Sequence, residues 1–315
     1  MTKIAILDDY QNVALQTADW SAVKDRADVT VFKDHVADAE ALVSRLEEFD
    51  AICVMRERTP LPRSVLERLP KLRFIASTGA RNASIDLEAA RDLKIKVSST
   101  GANGSGAAEL TWALILAAAR QIPAEVGSLR SGGWQTTVGR DLNGSTLGII
   151  GLGRIGAQIA RVGTAFGMNV IAWSQNLTEE VARAAGVTHV DKQELLRRSD
   201  WVTLHLVLSD RSRGIIGRDE FNMMKPSAWL VNTSRGPLVD EDALVDALAG
   251  KTIAGAAVDV FDDEPVQPGH RLITFPNVIA TPHIGFVTEH SYRIFYRETV
   301  ENILAWLDGA PIRSM

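Results

Sequence analysis

The feature that most constrains this sequence is the glycine run Gly151-Leu152-Gly153-Arg154-Ile155-Gly156. It follows an apolar run typical of a short buried strand, residues 146–150, and it precedes a segment with apolar residues at helical spacing. A second apolar run, residues 170–173, predicts another strand. Strand, glycine turn, helix and strand form the context in which G-x-G-x-x-G indicates dinucleotide binding.

Each glycine of such a motif has its own physical role. Gly151 makes the tight turn, Gly153 lets the backbone approach a diphosphate, and Gly156 lets the helix pack closely on the strand. The diphosphate then meets unpaired N–H groups at the positive end of the helix. We therefore expect these glycines, together with Arg154 and Ile155, to contact the cofactor.

Length and composition exclude several classes of protein. The chain has 315 residues, enough for two domains, and its 46% hydrophobic and 23% charged content is ordinary for a globular protein. A net charge of −5 and the lack of a Lys/Arg-rich run argue against a nucleic-acid partner. Since no apolar run could span a bilayer and no signal peptide precedes the first predicted strand, we expect a cytoplasmic protein without membrane binding.

The single cysteine, Cys53, lies in the apolar run 51–55, which predicts a buried structural thiol rather than a nucleophile. Neither H-E-x-x-H nor a cysteine cluster is present, so no metal site is expected. A G-x-S-x-G nucleophile elbow is also absent.

Short apolar runs alternate with helical segments over the first 98 residues, which predicts a parallel sheet with helices on it. The glycine-rich segment 100–106 leads into a nearly all-apolar helix and has the composition of a joint between domains. A last amphipathic helix, residues 288–307, is expected to return to the first domain. We therefore predict an α/β fold of two Rossmann-like or flavodoxin-like domains with parallel sheets. A dinucleotide-binding domain, residues 101–285, is inserted into a substrate-binding domain, residues 1–100 and 286–315.

Two polar loops follow neighbouring predicted strands of the first domain. One carries Arg56 and Arg58, and the other carries Gly79, Ala80 and Arg81. Ligands of open parallel sheets bind beyond the carboxyl ends of the strands, so both loops are candidates for substrate binding. The alternative is that the arginines are solvated loop charges, the commoner fate of a surface arginine.

The position that discriminates between nicotinamide cofactors holds Ser174, directly after the predicted strand 170–173. A Rossmann protein specific for NAD usually has Asp or Glu there, which binds the ribose 2′-hydroxyl. Without a carboxylate nothing repels a 2′-phosphate, and without an adjacent Arg or Lys nothing attracts one. Gln175 and Asn176 follow. The expected cofactor is thus NAD or NADP, with NAD slightly favoured.

Three side chains that can act together follow predicted strands of the second half: Arg235, Glu264 and His283. The planar fork of Arg235 suits a substrate carboxylate and its neighbouring carbonyl. His283 can give a proton to the carbonyl oxygen and take it back in the reverse direction, while Glu264 orients the ring and favours its protonated form. Beside a nicotinamide this set is complete for reduction of a 2-keto acid.

Taken singly, each of the three has a structural alternative: an ion pair, a loop charge, or a histidine at a turn. Their joint position at strand ends of one sheet favours the catalytic interpretation. Thr233 follows the same predicted strand as Arg235, and His205 lies in the predicted strand 201–206; both are expected near the cofactor. Trp134 lies in a glycine-containing loop and packs either on a partner subunit or in the core.

The sequence resembles the D-isomer-specific 2-hydroxyacid dehydrogenase family over essentially its whole length. The matching segments are the glycine motif, V-N-T-S-R-G-P-L-V-D at residues 231–240, A-V-D-V-F at residues 257–261 with Glu264-Pro265, and T-P-H-I-G at residues 281–285.

The resemblance implies the roles given above for Arg235, Glu264 and His283. It also implies that the backbone N–H groups of Ala80 and Arg81 hold the substrate carboxylate and that Asp259 contacts the nicotinamide amide. A homodimer built mainly through the cofactor domains and hinge closure over the substrate are implied as well.

Three departures from the family pattern bear on specificity. Arg81 puts a cation where a small residue is common, which suggests a more anionic or differently shaped substrate. Phe286 replaces the usual glycine after His-Ile-Gly and is expected to narrow the pocket or the hinge. Ser174 replaces the common Asp.

We expect an oxidoreductase that transfers a hydride between NAD(P)(H) and a small 2-keto or 2-hydroxy acid with D-stereospecificity. One alternative is a nicotinamide-binding regulatory protein like the corepressors of the family. Another is a dehydrogenase of a different small anion, such as formate or phosphite.

Overall fold

The computed structural model describes residues 1–315 and separates them into two units. The first unit comprises Met1–Asn103 and Thr288–Met315, and the second comprises Gly104–Val287. The divisions expected at residues 100 and 285 differ from these by three and two residues. Both units are built on parallel sheets, so the predicted α/β fold class is confirmed.

The first unit has five short strands that alternate with helices. In chain order these are β1 (Thr2–Ile6), α1 (Ala14–Thr17), α2 (Ser21–Lys24), β2 (Ala27–Val31), α3 (Ala39–Leu46), β3 (Ala51–Val54), α4 (Arg63–Leu66), β4 (Phe74–Ser77), α5 (Leu87–Asp92) and β5 (Lys96–Ser98). Every strand pairing is parallel, in the order β2-β1-β3-β4-β5. This is the flavodoxin-like order.

The central strands of this sheet are apolar on both faces because helices cover both. Ile4, Ile52 and Ile75 are fully buried, and Cys53 beside them is buried too. Burial raises the pKa of the Cys53 thiol to about 12. The prediction of a buried structural cysteine is confirmed.

The second unit has seven strands. Its elements are α6 (Gly106–Ala119), α7 (Ile122–Arg130), β6 (Thr146–Ile150), α8 (Arg154–Ala165), β7 (Asn169–Trp173), α9 (Glu179–Ala184), β8 (Thr188–His189), α10 (Lys192–Arg198), β9 (Trp201–Leu204), α11 (Arg218–Met223), β10 (Trp229–Asn232), α12 (Glu241–Ala249), β11 (Gly255–Val258), α13 (Arg271–Thr274) and β12 (Val278–Ala280). A one-turn 3₁₀ helix, Gly236–Leu238, lies between β10 and α12.

The strand order of the second unit is β12-β11-β10-β9-β6-β7-β8, again all parallel. This is the Rossmann order with a seventh strand added at one edge. The chain reverses direction across the sheet at β6, which lies between β7 and β9. Ligands of such sheets bind at that switch point, beyond the carboxyl ends of the strands.

The last helix, α14 (Glu289–Leu307), belongs to the first unit. Phe74 of β4 stacks on Trp306 with ring centroids 5.1 Å apart. The side chain of Asn302, which is buried, donates a 2.8 Å hydrogen bond to the backbone oxygen of Ser99. None of the helices combines the length and the apolar composition needed to cross a lipid bilayer.

Candidate active site

The glycine motif forms the turn between β6 and α8. Gly151 has φ +105°, and a Cβ there would lie 2.6 Å from the backbone oxygen of His205. A Cβ on Gly156 would overlap the backbone oxygen of Gly151, so the helix can approach the strand only through a glycine. Nothing lies within 4 Å of the equivalent point on Gly153, which leaves the approach to the helix open.

The N-terminus of α8 offers unbonded N–H groups. Gly153 caps the helix without a side chain, and the first N–H bonded within the helix is that of Ala157, 2.9 Å from the Gly153 oxygen. The N–H groups of Arg154, Ile155 and Gly156 have no acceptor on the chain. A twelve-residue helix with free N–H groups and an open glycine in front of it fits the diphosphate of a dinucleotide.

His205 follows β9 beside the glycine turn. Its Nε2 is hydrogen-bonded to Thr203 Oγ1 at 2.9 Å, whereas its Nδ1 is shielded from solvent and has no partner. Burial lowers the pKa of His205 to about 3, so the imidazole is neutral at physiological pH. Its expected contact with the cofactor stays a prediction.

The loop after β12 places His283 against Glu264. The His283 Nδ1 lies 2.6 Å from Glu264 Oε2, and because a carboxylate only accepts, Nδ1 donates. The other oxygen of Glu264 accepts a 2.9 Å hydrogen bond from the backbone N–H of Phe261. The carboxylate is thereby fixed at both oxygens, and His283 Nε2 has no partner on the chain.

The turn that carries His283 is tied down by Asp259, which is fully buried. One oxygen of Asp259 accepts hydrogen bonds from Thr281 Oγ1 at 2.6 Å and from the N–H of Ile284 at 2.8 Å. The other oxygen accepts from the N–H of Gly285 at 2.8 Å. Burial raises the pKa of Asp259 in spite of these hydrogen bonds, which lower it. Both carboxylate oxygens of Asp259 accept hydrogen bonds from the turn. The expected contact of Asp259 with the nicotinamide stays a prediction.

Arg235 lies half-buried after β10. The Asn232 side chain shapes this loop, because it donates to the Arg235 oxygen at 2.8 Å and accepts from the Ser234 N–H at 3.1 Å. Arg235 Nη1 donates to the Ser234 oxygen at 2.7 Å. Gly236 packs directly on the backbone at Phe261, which joins this loop to the loop that carries Glu264.

The second sheet therefore brings the predicted catalytic residues to one edge. Arg235, Glu264 and His283 follow β10, β11 and β12, which are neighbouring strands. Thr233, also after β10, is buried, and its hydroxyl lies 2.7 Å from that of Thr111 on α6. Phe286 packs edge-on against the His283 ring, with centroids 5.4 Å apart and planes at 82°.

The loops of the first unit are also ordered by internal contacts. The Arg56 guanidinium lies across Gly79 and 3.8 Å from Glu57 Oε2. The N–H of Gly79 donates to the Thr100 hydroxyl at 2.7 Å and is not available to a ligand. In contrast, the N–H groups of Ala80 and Arg81 have no acceptor on the chain, and both residues are exposed.

Sequence reasoning missed a buried polar network at the carboxyl edge of the first sheet. Asp8 lies 3.0 Å from His35 Nδ1 and accepts a 2.5 Å hydrogen bond from the Thr59 hydroxyl. Arg58 donates to the Asp8 backbone oxygen at 2.9 Å, and its guanidinium lies 4.5 Å from the centre of the Tyr10 ring. The interpretation of Arg58 as a solvated loop charge is therefore wrong. The position of Asp8 just after the first strand was the available signal.

Residues 112–285 match the family model described as D-isomer specific 2-hydroxyacid dehydrogenase, NAD binding domain. This match covers more than half of the chain and falls within the second unit. The chain belongs to the D-isomer specific 2-hydroxyacid dehydrogenase family. As a member, it is an oxidoreductase with an NAD-binding domain.

Relatives of this dehydrogenase carry different activity names. It is 42% identical to a D-3-phosphoglycerate dehydrogenase of Methanocaldococcus jannaschii over 86% of the chain and 52% of that protein. It is 39% identical to a glyoxylate reductase of Aeropyrum pernix over 86% of the chain and 83% of that protein. The dehydrogenase thus spans about half the length of the phosphoglycerate dehydrogenase.

A solved structure has the same fold over nearly the whole chain. The phosphoglycerate oxidoreductase of Vibrio cholerae superposes with a TM-score of 0.93 at 39% identity, over 98% of this chain and 100% of that one. The predicted family is confirmed.

Proposed function

We propose that this dehydrogenase reduces a small 2-keto acid to the D-2-hydroxy acid, with His283 as the proton donor. The observation that carries the proposal is the 2.6 Å hydrogen bond between His283 Nδ1 and Glu264, which leaves Nε2 without a partner. An imidazole held in this way presents a single nitrogen for proton transfer.

Glu264 acts through His283. Because its two oxygens accept from Nδ1 and from the Phe261 N–H, the carboxylate holds the ring in one orientation and one tautomer. In the imidazolium form Nε2 also carries a proton, and this proton passes to the carbonyl oxygen of the substrate and leaves the neutral ring protonated at Nδ1. In the reverse direction the neutral ring takes the proton back at Nε2.

Arg235 is proposed to bind the substrate carboxylate and to polarise the adjacent carbonyl. Its guanidinium can donate two parallel hydrogen bonds, and Asn232 fixes the loop that carries it. A bound nicotinamide supplies the hydride. The N-terminus of α8 and Gly151, Gly153 and Gly156 would hold its diphosphate.

The substrate class follows from charges in the first unit. We infer that the N–H groups of Ala80 and Arg81 bind the substrate carboxylate and that Arg56 and Arg81 add positive charge around it. Two arginines favour a 2-keto acid with a second anionic or strongly polar group. The relative named D-3-phosphoglycerate dehydrogenase agrees with such a substrate, whereas glyoxylate, the substrate in the name of another relative, has no second polar group.

A homodimer formed through the second unit is also proposed. The helix α7 has no buried residue, and its apolar side chains Ile122, Val126 and Leu129 recur at helical spacing on one exposed face. Trp134, just after the helix, is 76% exposed, so its packing in the core of the chain is excluded. Adjacent exposed apolar side chains of this kind are typical of a subunit interface.

A panel of 2-keto acids tests the proposed reaction. Glyoxylate, hydroxypyruvate, pyruvate and phosphorylated hydroxypyruvate are each incubated with NADH and with NADPH, and the loss of the reduced-nicotinamide absorbance is followed. We expect turnover of at least one acid, with a D-2-hydroxy acid as the product on enantioselective chromatography. Cofactor binding without turnover of any keto acid, or turnover of formate or phosphite alone, would contradict the proposal.

A further inference from the structure

An arginine lies beside the position that distinguishes the two nicotinamide cofactors. The Nε of Arg211, in the loop after β9, donates a 3.1 Å hydrogen bond to the side-chain oxygen of Gln175. Gln175 follows Ser174, the residue at the end of β7 where NAD-specific Rossmann proteins usually carry a carboxylate. The cation is thus supplied from a loop 36 residues away along the chain.

The topology explains this approach. The strands β7 and β9 lie on either side of β6, so the loops after them share the edge at which a dinucleotide binds. In this fold the ribose 2′-position faces the residues directly after the second strand of the nucleotide-binding half, which here is β7. The Arg211–Gln175 hydrogen bond therefore lies where a 2′-phosphate would bind.

The donors at this place suit a phosphate. Only Nε of Arg211 is engaged, which leaves the N–H groups of both terminal nitrogens for two parallel bonds to phosphate oxygens. Arg211 forms no ion pair, and the Ser174 hydroxyl makes no hydrogen bond within the chain. Both groups are free to donate.

The surrounding charges do not oppose this assignment. Asp210 neighbours Arg211 in sequence but forms no ion pair with it, and Glu179 and Glu180 begin α9 nearby along the chain. Glu179 is paired with Arg183 at 2.6 Å. No carboxylate thus takes the place of the missing Asp at the end of β7.

We propose that Arg211, with Ser174 and Gln175, forms a 2′-phosphate site, so that this dehydrogenase prefers NADP(H) over NAD(H). The proposal rests on the proposed function, since it assumes that a nicotinamide dinucleotide binds to the second unit. The sequence alone left the cofactor open between NAD and NADP, with NAD slightly favoured.

Binding of the oxidised cofactors, measured by calorimetry without substrate, tests the site independently of activity. We expect NADP⁺ to bind the unaltered enzyme more tightly than NAD⁺. Arg211→Gln should raise the Kd of NADP⁺ by about 10-fold to 100-fold, as expected for a lost charge-assisted hydrogen-bond pair, and should change that of NAD⁺ by less than about twofold. Ser174→Asp should reverse the preference, because a carboxylate there accepts from the 2′-hydroxyl and repels a phosphate.

Arg197→Gln is the matched control, because Arg197 is also an exposed arginine bonded to a glutamine, Gln193, but within α10. It should leave both Kd values unchanged. Equal binding of NAD⁺ and NADP⁺ by the unaltered enzyme would overturn the Arg211 site while leaving the proposed function intact. An equal loss of affinity for NAD⁺ and NADP⁺ in Arg211→Gln would also overturn the Arg211 site. The same loss of NADP⁺ affinity in Arg197→Gln would do so as well. If neither nucleotide binds at all, the proposed function and the site are both wrong.

Discussion

Beside the glycine turn, one histidine is buried in its neutral form. His205 has one nitrogen bonded to the Thr203 hydroxyl and the other shut away from solvent without a partner. Protonation of this ring would bury a positive charge whose hydrogen-bond partner is the Thr203 hydroxyl and not a carboxylate. The folded state therefore requires the neutral imidazole, and the loss of folding stability in acid that follows from this can be measured.

We expect His205 to make the protein less stable as the pH falls. Its pKa is lowered by burial from 6.5 to about 3, so between these values the unfolded chain binds a proton that the folded chain does not. The stability is complete above about pH 6.5 and declines below it, by at most about 1.4 kcal/mol per pH unit. Urea unfolding of the parent and of His205→Gln between pH 7 and pH 5 measures this difference.

The parent should lose up to about 2 kcal/mol more than His205→Gln over that range. His290→Gln, a change at an exposed histidine of α14, serves as the control and should follow the parent. If the free energy of unfolding of the parent and of His205→Gln changed equally with pH, the lowered pKa of His205 would be contradicted.

Among the elements, the turn after β12 depends on one carboxylate. Asp259, at the end of β11, accepts from Thr281, Ile284 and Gly285 and so joins two neighbouring strands at their carboxyl ends. The position of His283 follows from this connection, since His283 lies within the same turn and has a left-handed backbone, with φ +51°.

Removing the Asp259 carboxylate should cost more than removing a single one of its donors. Asp259→Ala leaves one hydroxyl and two N–H groups without an acceptor and should lower the free energy of unfolding by at least about 2 kcal/mol. Thr281→Val removes one donor together with its bond and should cost about 1 kcal/mol. Denaturant unfolding compares the two, and equal losses would show that the turn does not depend on Asp259.

How far the sequence predicts these elements depends on local signals. The last helix, α14, was predicted over residues 288–307 and spans Glu289–Leu307, with Thr288 as its N-cap. The strand β8 was not predicted, since its two residues, Thr188 and His189, are too few to form an apolar run. The flanks of the glycine motif were strong enough to predict β6 exactly.

The candidate site was predictable where its members follow strands of one parallel sheet. Arg235, Glu264 and His283 were expected together because each comes after a predicted strand of the second half. Arg211 and Asp8 were missed because their partners come from other elements, and periodicity within a segment carries no information about such contacts. The pairing of side chains across loops is decided by tertiary packing.

At the scale of the whole molecule, the exposed apolar face of α7 predicts the oligomeric state. We expect a dimer in light scattering after gel filtration, because Leu129 is 60% exposed on a helix with no buried residue. Leu129→Glu should place a charge in the interface and shift the protein towards the monomer. Leu15→Glu, at an exposed leucine of α1 in the first unit, should remain dimeric. A monomeric parent protein would contradict the interface.

The central claim is that His283 delivers the proton while Glu264 holds it in place, and turnover of His283→Gln tests this most directly. The cofactor Kd and the rate of reduction of the best keto acid are measured side by side for the parent enzyme and the variant. The account predicts a turnover about 10²-fold to 10⁴-fold lower with the cofactor Kd nearly unchanged. Turnover close to that of the parent enzyme, with the same cofactor affinity, would contradict it.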